Sequence, residues 1–88
     1  MQRIIDNIVG NFTPTKNTNI YNQLYDFFCF EYANKFPDDI KIIYKHYYPN
    51  QEIPNEITDI DKDNLYEKMK NIIMEELIEY ENDYYNFF

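Results

Sequence analysis

The chain has 88 residues with 16 acidic and 8 basic side chains, which gives a formal net charge of −8. Its hydrophobic content of 44% supports a folded core, and its length fits one helical domain over residues 1–88. A single cysteine excludes an internal disulfide, and no stretch approaches the roughly 18 apolar residues of a membrane span. The early acid Asp6 does not fit a signal peptide, and Asn, Ile, Lys and Tyr are abundant. We therefore expect a cytoplasmic protein of a low-GC bacterium, its phage or a mobile element.

The first predicted helix covers residues 1–9. Its apolar side chains recur at helical spacing: Met1, Ile4, Ile5, Ile8 and Val9. Gly10 is expected to end this helix as a C-cap. The polar residues 11–18, which include Pro14, then form a loop.

A second helix is predicted over residues 19–36, with Asn17 or Thr18 as its N-cap. One apolar stripe consists of Ile20, Leu24, Phe27 and Phe28, and it is extended sideways by Tyr21, Tyr25, Tyr32 and Phe36. Because this apolar face is wide, the helix is expected to be the central one.

Pro37, Asp38 and Asp39 are typical of a helix start, with proline first and acids in the first turn. The apolar residues that follow fit a helix, but the alternation of Ile40, Ile42 and Tyr44 would also suit a strand. We prefer the helix, because no second strand is evident to pair with it. Residues 49–58 are predicted to be a loop.

The longest helical pattern covers residues 59–86. Its stripe consists of Tyr66, Met69, Ile73, Leu77, Tyr80, Tyr84 and Phe87, widened by Leu65 and Ile72. The sequence therefore predicts an all-α protein, a small three- or four-helix bundle with a long acidic C-terminal helix. This helix is expected to pack along the aromatic second helix.

Charge is distributed unevenly along the chain. Residues 1–51 hold five acids and five bases, whereas residues 52–88 hold eleven acids and three bases. In the last helix an acidic row recurs every fourth residue, with Asn71 filling one position: Glu67, Glu75, Glu79 and Asp83. Two further acids, Glu76 and Glu81, lie beside this row. Like charges at this spacing repel each other, and no lysine is placed to relieve them. A local loss of stability of this kind is typical of a binding site. The alternative interpretation of the acidic row is a solvated helix face that keeps the protein soluble.

Aromatic residues are the second signal, since the chain has 10 tyrosines and 7 phenylalanines. A domain this small can hardly bury them all, and exposed aromatic rings make good contact anchors. Tyr84 and Tyr85 are the clearest candidates, either docked on the protein's own core or exposed for a partner. The aromatic C-terminus could also join two copies in a homodimer.

Other motifs carry little chemistry. Asp59, Asp61 and Asp63 resemble the opening of an EF-hand loop, but Asn64 and Lys70 occupy positions that need glycine and glutamate. The only histidine, His46, has no evident catalytic partners, and Cys29 lies among phenylalanines, where a buried and unreactive thiol is expected. We expect no enzymatic activity, cofactor or metal.

These features predict an acidic inhibitor that imitates DNA and occupies the basic nucleic-acid-binding surface of a nuclease or CRISPR-type defence complex. The negative field disfavours direct binding to nucleic acid or to a membrane. The alternative is an immunity protein, antitoxin or adaptor that binds its partner through exposed aromatic residues, with acids steering association.

Overall fold

A computed structural model describes residues 1–14 and 19–83, with side chains up to residue 79. Within these residues the regular structure is helical and contains no strand, so the predicted all-α class is confirmed. The helices are α1 (Gln2–Asn11), α2 (residues 20–35), α3 (Pro37–Tyr47) and α4 (Asp59–Asp83).

Helix α2 is continuous, but its middle is a π-helix. Ile20–Asp26 and Ala33–Lys35 are α-helical, and Phe27–Tyr32 between them is π-helical. Backbone angles at both junctions stay in the right-handed helical region, so the three parts form one rod. A π-helix bonds each N–H to the carbonyl five residues back, and therefore accommodates an extra residue per turn. The apolar pattern predicted the helix but not this change of pitch.

The predicted end of the first helix was wrong. Gly10 lies inside the last turn of α1, which continues to Asn11. Phe12 ends the helix in an extended conformation, and its N–H is shared between the carbonyls of Ile8 and Val9 at 3.1 and 3.3 Å. Gly10 does not adopt a positive φ, so the left-handed conformation that favours glycine at a C-cap is not used.

The predicted cap of the second helix was also wrong. Asn19 caps α2, because its Oδ1 accepts the N–H groups of Tyr21 and Asn22 at 2.8 and 3.3 Å. Asn17 and Thr18 lie outside the described residues. The residues before the helix include three possible caps, Asn17, Thr18 and Asn19, and the backbone position decides among them.

The open choice for residues 40–48 is settled in favour of the helix. Helix α3 begins with Pro37 in its first turn, followed by Asp38 and Asp39, and ends at Tyr47. Its end is tied to the following loop, where Tyr44 Oη donates to Gln51 Oε1 at 2.9 Å. Residues 49–58 contain no helix, as predicted.

The apolar core lies between all four helices. Its fully covered side chains are Ile8, Leu24, Phe28, Ile43, Leu65, Met69 and Ile73. Helix α4 packs along α2, as predicted, with the Tyr66 ring 5.2 Å from the Tyr25 ring and 6.1 Å from Phe28. Tyr66 also donates its hydroxyl to the carbonyl of Tyr21 at 2.8 Å, which fixes the register of the two helices.

The predicted stripe of α4 needs one correction. Ile72 is 37% exposed and lies outside the core, whereas Met74, which the pattern did not include, is buried. The sequence pattern assigned Ile72 to the buried face instead of Met74, because both residues are apolar and border the stripe. The stripe residues Tyr84 and Phe87 lie outside the described residues.

A buried polar network joins the first three helices. Asp39 of α3 is buried, and its Oδ2 accepts the hydroxyl of Tyr32 from α2 at 2.7 Å. The Tyr32 oxygen accepts in turn from Asn7 Nδ2 of α1 at 2.8 Å, and Arg3 Nη2 of α1 lies 3.5 Å from Asp39 Oδ1. Every buried polar side-chain atom in the described residues has a hydrogen-bond partner. The network therefore supplies the hydrogen bonds that a buried carboxylate requires.

Replacing Tyr32 with phenylalanine should lower the free energy of unfolding by about 1–3 kcal/mol, the range expected when a buried acceptor loses its donor. Urea unfolding followed by circular dichroism measures this loss. Tyr21→Phe is the matched control, because Tyr21 is 44% exposed, and it should change stability by less than about 0.5 kcal/mol. Equal stability of the Tyr32→Phe variant and the original chain would show that the network contributes little.

Two core tyrosines make the fold sensitive to alkali. Burial raises the pKa of Tyr32 and that of Tyr66 from 10.0 to about 12. The folded state therefore favours the protonated hydroxyls, and this contribution is complete below pH 10 and is lost as the pH rises through 12. Urea unfolding at increasing pH should show stability falling in that window, and unchanged stability there would contradict the assignment.

Candidate functional site

The N-terminal end of α4 is built by capping. Thr58 Oγ1 caps the helix by accepting the N–H of Asp61 at 3.2 Å, and the same hydroxyl donates to Asp61 Oδ2 at 3.0 Å. Asp59 lies in the first turn, where the helix dipole favours an anion. Asp63 accepts the hydroxyl of Tyr25. Each of the three acids that resemble the opening of an EF-hand loop thus has its own role in the start of α4 or its contact with α2.

Three glutamates of α4 form a compact acidic surface, which we call the glutamate ridge: Glu75, Glu76 and Glu79. An α-helix turns by about 100° per residue, so Glu75 and Glu79 differ by about 40° in direction and about 6 Å along the axis. Both are exposed and point away from the core residues Ile73 and Leu77. Glu76 lies on the flank and is half-buried.

No base in the described part of the chain neutralises the ridge. None of its three glutamates has a lysine, arginine or histidine nitrogen within ion-pair distance there. The three lysines of α4 are directed elsewhere. Lys62 lies 3.8 Å from Asp59, and Lys68 lies over the rings of Tyr47 and Tyr48 at 5.6 Å.

The third lysine corrects a prediction about the acidic row. Lys70 Nζ lies 2.8 Å from Glu67 Oε2, one turn along the helix, so a lysine does relieve this part of the row. The row also winds around the helix, because each step of four residues turns it by about 40°. Glu67 therefore points about 80° away from Glu75 and is separate from the glutamate ridge.

Two exposed isoleucines lie beside the ridge, and neither was predicted to be a surface residue. Ile78 is 52% exposed and follows Glu75 by one turn, and the partly exposed Ile72 precedes it by one turn. The signal was present in the sequence, since Ile78 falls outside the apolar stripe of α4. The outer face of α4 thus combines carboxylates with apolar surface.

The structure does not describe the side chains of four other predicted site residues. Glu81 and Asp83 belong to the last turn of α4, but their side chains are not among those described. Tyr84 and Tyr85 lie outside the described residues, so their docking on the core or exposure to a partner stays a prediction.

The cysteine thiol and the histidine considered as a general base lie in different surroundings. Cys29 is buried, and burial raises the pKa of its thiol from 9.0 to about 12, so the reactive thiolate is disfavoured. Its neighbour Phe30, expected to share this apolar environment, is instead 53% exposed. His46 is exposed, with its ring against the edge of Tyr47 at 5.0 Å.

Comparisons with models of protein families, with curated proteins and with solved structures found no match. Among the described residues, no helix is long and apolar enough to cross a membrane. In the same part of the chain, no three His, Cys, Asp or Glu side chains are grouped so that they could hold a metal ion.

The ridge should be locally destabilising in the free protein. Glu79→Lys would replace a like-charge contact with an i,i+4 ion pair to Glu75 and place a cation near the helix C-terminus. We expect the free energy of unfolding to rise by about 0.3–1 kcal/mol.

Urea unfolding at low salt measures this gain, and the control is Glu52→Lys in the exposed loop before α4, which should leave stability nearly unchanged. A loss of stability in Glu79→Lys would show that the ridge glutamates carry no electrostatic strain.

Proposed function

We propose that this chain is a non-catalytic inhibitor whose glutamate ridge docks on a basic surface of a nucleic-acid-binding protein. The favoured target is a nuclease or a CRISPR-type defence complex. The observation that carries the proposal is the lack of a basic partner for Glu75, Glu76 and Glu79 among the described residues, on a helix face that points into solvent.

Electrostatics supports binding of this kind. Lysines and arginines that line a nucleic-acid groove are arranged to receive closely spaced negative charges. Glu75 and Glu79 present two carboxylates about 6 Å apart along a rigid helix. Their mutual repulsion, a cost to the free protein, is relieved when a partner's cations lie between them. The relief of this repulsion therefore adds to the free energy of binding.

The charge of the whole chain fits the same proposal. A net charge of −8 repels phosphates, so the chain would act on a nucleic-acid-binding protein and not on the nucleic acid itself. The composition, rich in Asn, Ile, Lys and Tyr, fits a phage or mobile element of a low-GC bacterium. We place the activity in the cytoplasm of that host.

A second candidate is an immunity protein, antitoxin or adaptor that binds its partner through apolar anchors, with acids steering the encounter. Exposed Ile78 favours it, because a surface that only imitated phosphates would not need an apolar side chain beside Glu75 and Glu79. Apolar anchors at the centre of an interface contribute most of the affinity, whereas charges at its rim mainly change the association rate.

Charge reversal of the ridge tests the first candidate. The immobilised chain is used to capture proteins from a lysate of a low-GC bacterium, at low and high salt and with double-stranded DNA as competitor. Captured targets should be nucleic-acid-binding proteins that elute with salt or DNA. The triple variant Glu75→Lys, Glu76→Lys, Glu79→Lys should lose them while keeping its helical circular dichroism.

The matched control reverses three exposed acids elsewhere, Glu31, Glu52 and Glu56, and changes the net charge by the same amount. It should still capture the targets. Equal loss in both triple variants would reduce the effect to net charge and refute a specific ridge. Loss in Ile78→Ser with retention in the ridge variant would instead support the second candidate.

A further inference from the structure

An open groove lies between the end of α1 and the middle of α2. Its larger part has a volume of about 390 Å³, and a smaller part of about 120 Å³ adjoins it. The two parts form one groove, because Asn11, Phe27 and Glu31 line both. The larger part is at the lower end of the size range of small-molecule sites, so the groove is large enough for a small ligand.

Four aromatic rings line this groove one after another. The ring of Phe27 lies 5.3 Å from that of Phe12 and 6.0 Å from that of Tyr32, and the Tyr32 ring lies 4.7 Å from that of Phe36. Phe12 and Tyr32 are buried, whereas Phe27 and Phe36 are half-buried, so part of each is open to solvent. The groove wall is therefore apolar, and its ring faces attract cations.

The π-helical segment brings two carboxylates to the same groove. Asp26 directly precedes the segment, and Glu31 lies five residues later. In an α-helix, residues five apart differ by about 140° in direction. A π-helix places them on nearly the same side, because each N–H bonds to the carbonyl five residues back, as that of Ala33 does to Phe28. Both carboxylate side chains thus line the larger part of the groove.

No base in the described part of the chain neutralises these two carboxylates. Both side chains are exposed, and neither has a lysine, arginine or histidine nitrogen within ion-pair distance there. Lys35 lines only the smaller part of the groove, where its Nζ lies 5.6 Å from the centre of the Phe36 ring. The larger part therefore combines two negative charges with an aromatic wall.

We propose that this groove binds a linear aliphatic diamine, which is a chain of methylene groups with an ammonium at each end. The ammonium groups pair with Asp26 and Glu31, and the methylene chain lies against the rings of Phe12 and Phe27. A monoamine leaves one carboxylate unpaired, and an anion is repelled. A bare metal ion lacks ligands here, because the described residues contain no group of three His, Cys, Asp or Glu side chains that could hold one.

This inference goes beyond the proposed inhibitor function and does not rest on it. The groove is lined by α2 and the end of α1, whereas the glutamate ridge lies in the second half of α4. The two sites can therefore be altered by separate substitutions, and the failure of one proposal leaves the other intact.

A titration with small amines tests the proposal. The full chain is titrated at low salt with diaminobutane, butylamine and magnesium chloride, and binding is followed by nuclear magnetic resonance. Diaminobutane should shift the ring signals of Phe12 and Phe27 and the carboxyl signals of Asp26 and Glu31 in a saturable way. Butylamine has the same carbon chain but one ammonium, and it should bind about two- to fivefold more weakly. Magnesium carries the same charge without methylene groups, and it should not displace diaminobutane at equal concentration.

Variants separate the groove from general negative charge. Asp26→Asn and Glu31→Gln should each weaken diaminobutane binding about two- to fivefold and keep the helical circular dichroism. Glu52→Gln is the matched control, because it removes the same charge from an exposed loop, and it should bind as the original chain does. Phe27→Leu, which keeps an apolar side chain without the ring, should also weaken binding about two- to fivefold. The triple ridge variant should bind diaminobutane normally, even if the proposed inhibitor function fails.

Three results would overturn the proposal. Equal binding of diaminobutane and butylamine would show that the second carboxylate has no role. Displacement of diaminobutane by an equal concentration of magnesium would reduce the effect to general attraction of cations. Unchanged binding by both Asp26→Asn and Glu31→Gln would place the ligand outside the groove, and these two variants decide the matter if Phe27→Leu fails to fold.

Discussion

The buried carboxylate of Asp39 is the constraint on which the arrangement of the first three helices depends. A buried carboxylate is tolerated only when donors reach it, and here they come from Tyr32 of α2 and Arg3 of α1. Asn7 completes the network by donating to Tyr32. Apolar packing alone would permit many rotations of α1, α2 and α3, because isoleucines and phenylalanines adapt to one another. The directional hydrogen bonds select one of them, and α4 then packs on the surface that remains.

The distribution of basic residues along α4 follows from this packing. Its first half lies against α2 and the end of α3, where lysines pair with Asp59 and Glu67 or cover the rings of Tyr47 and Tyr48. Its second half buries Ile73 and Leu77 on one side and presents glutamates on the other. The helix thus changes character along its length, from a charge-balanced packing element to a negative surface.

Sequence was sufficient to predict the helical class, because apolar residues recur at helical spacing along most of the chain. It was also sufficient to predict the position of α3, because Pro37 at a helix start is a strong local signal. The end of α1 at Asn11 and the N-cap of α2 at Asn19 could not be predicted from sequence, since several neighbouring residues were chemically suitable and the backbone conformation selects among them. The Glu67–Lys70 pair was within reach of sequence reasoning, because the two residues are one helical turn apart. The exposure of Phe30 was also within reach, because Phe30 falls outside the predicted apolar stripe, whereas the π-helical pitch of Phe27–Tyr32 leaves no signal in that pattern.

The π-helical segment also determines where the length of α2 can vary. Tyr25 before it and Phe28 in its first turn face α4, and at its end Tyr32 faces α1 and α3. A π-helix turns less per residue than an α-helix, so this segment holds one residue more than an α-helix would need to join the two contact surfaces. Deleting one residue within it would restore an ordinary α-helix and leave the two surfaces in nearly the same relative direction. The same deletion in an α-helical part of α2 would rotate one surface by about 100° relative to the other and separate it from its partners.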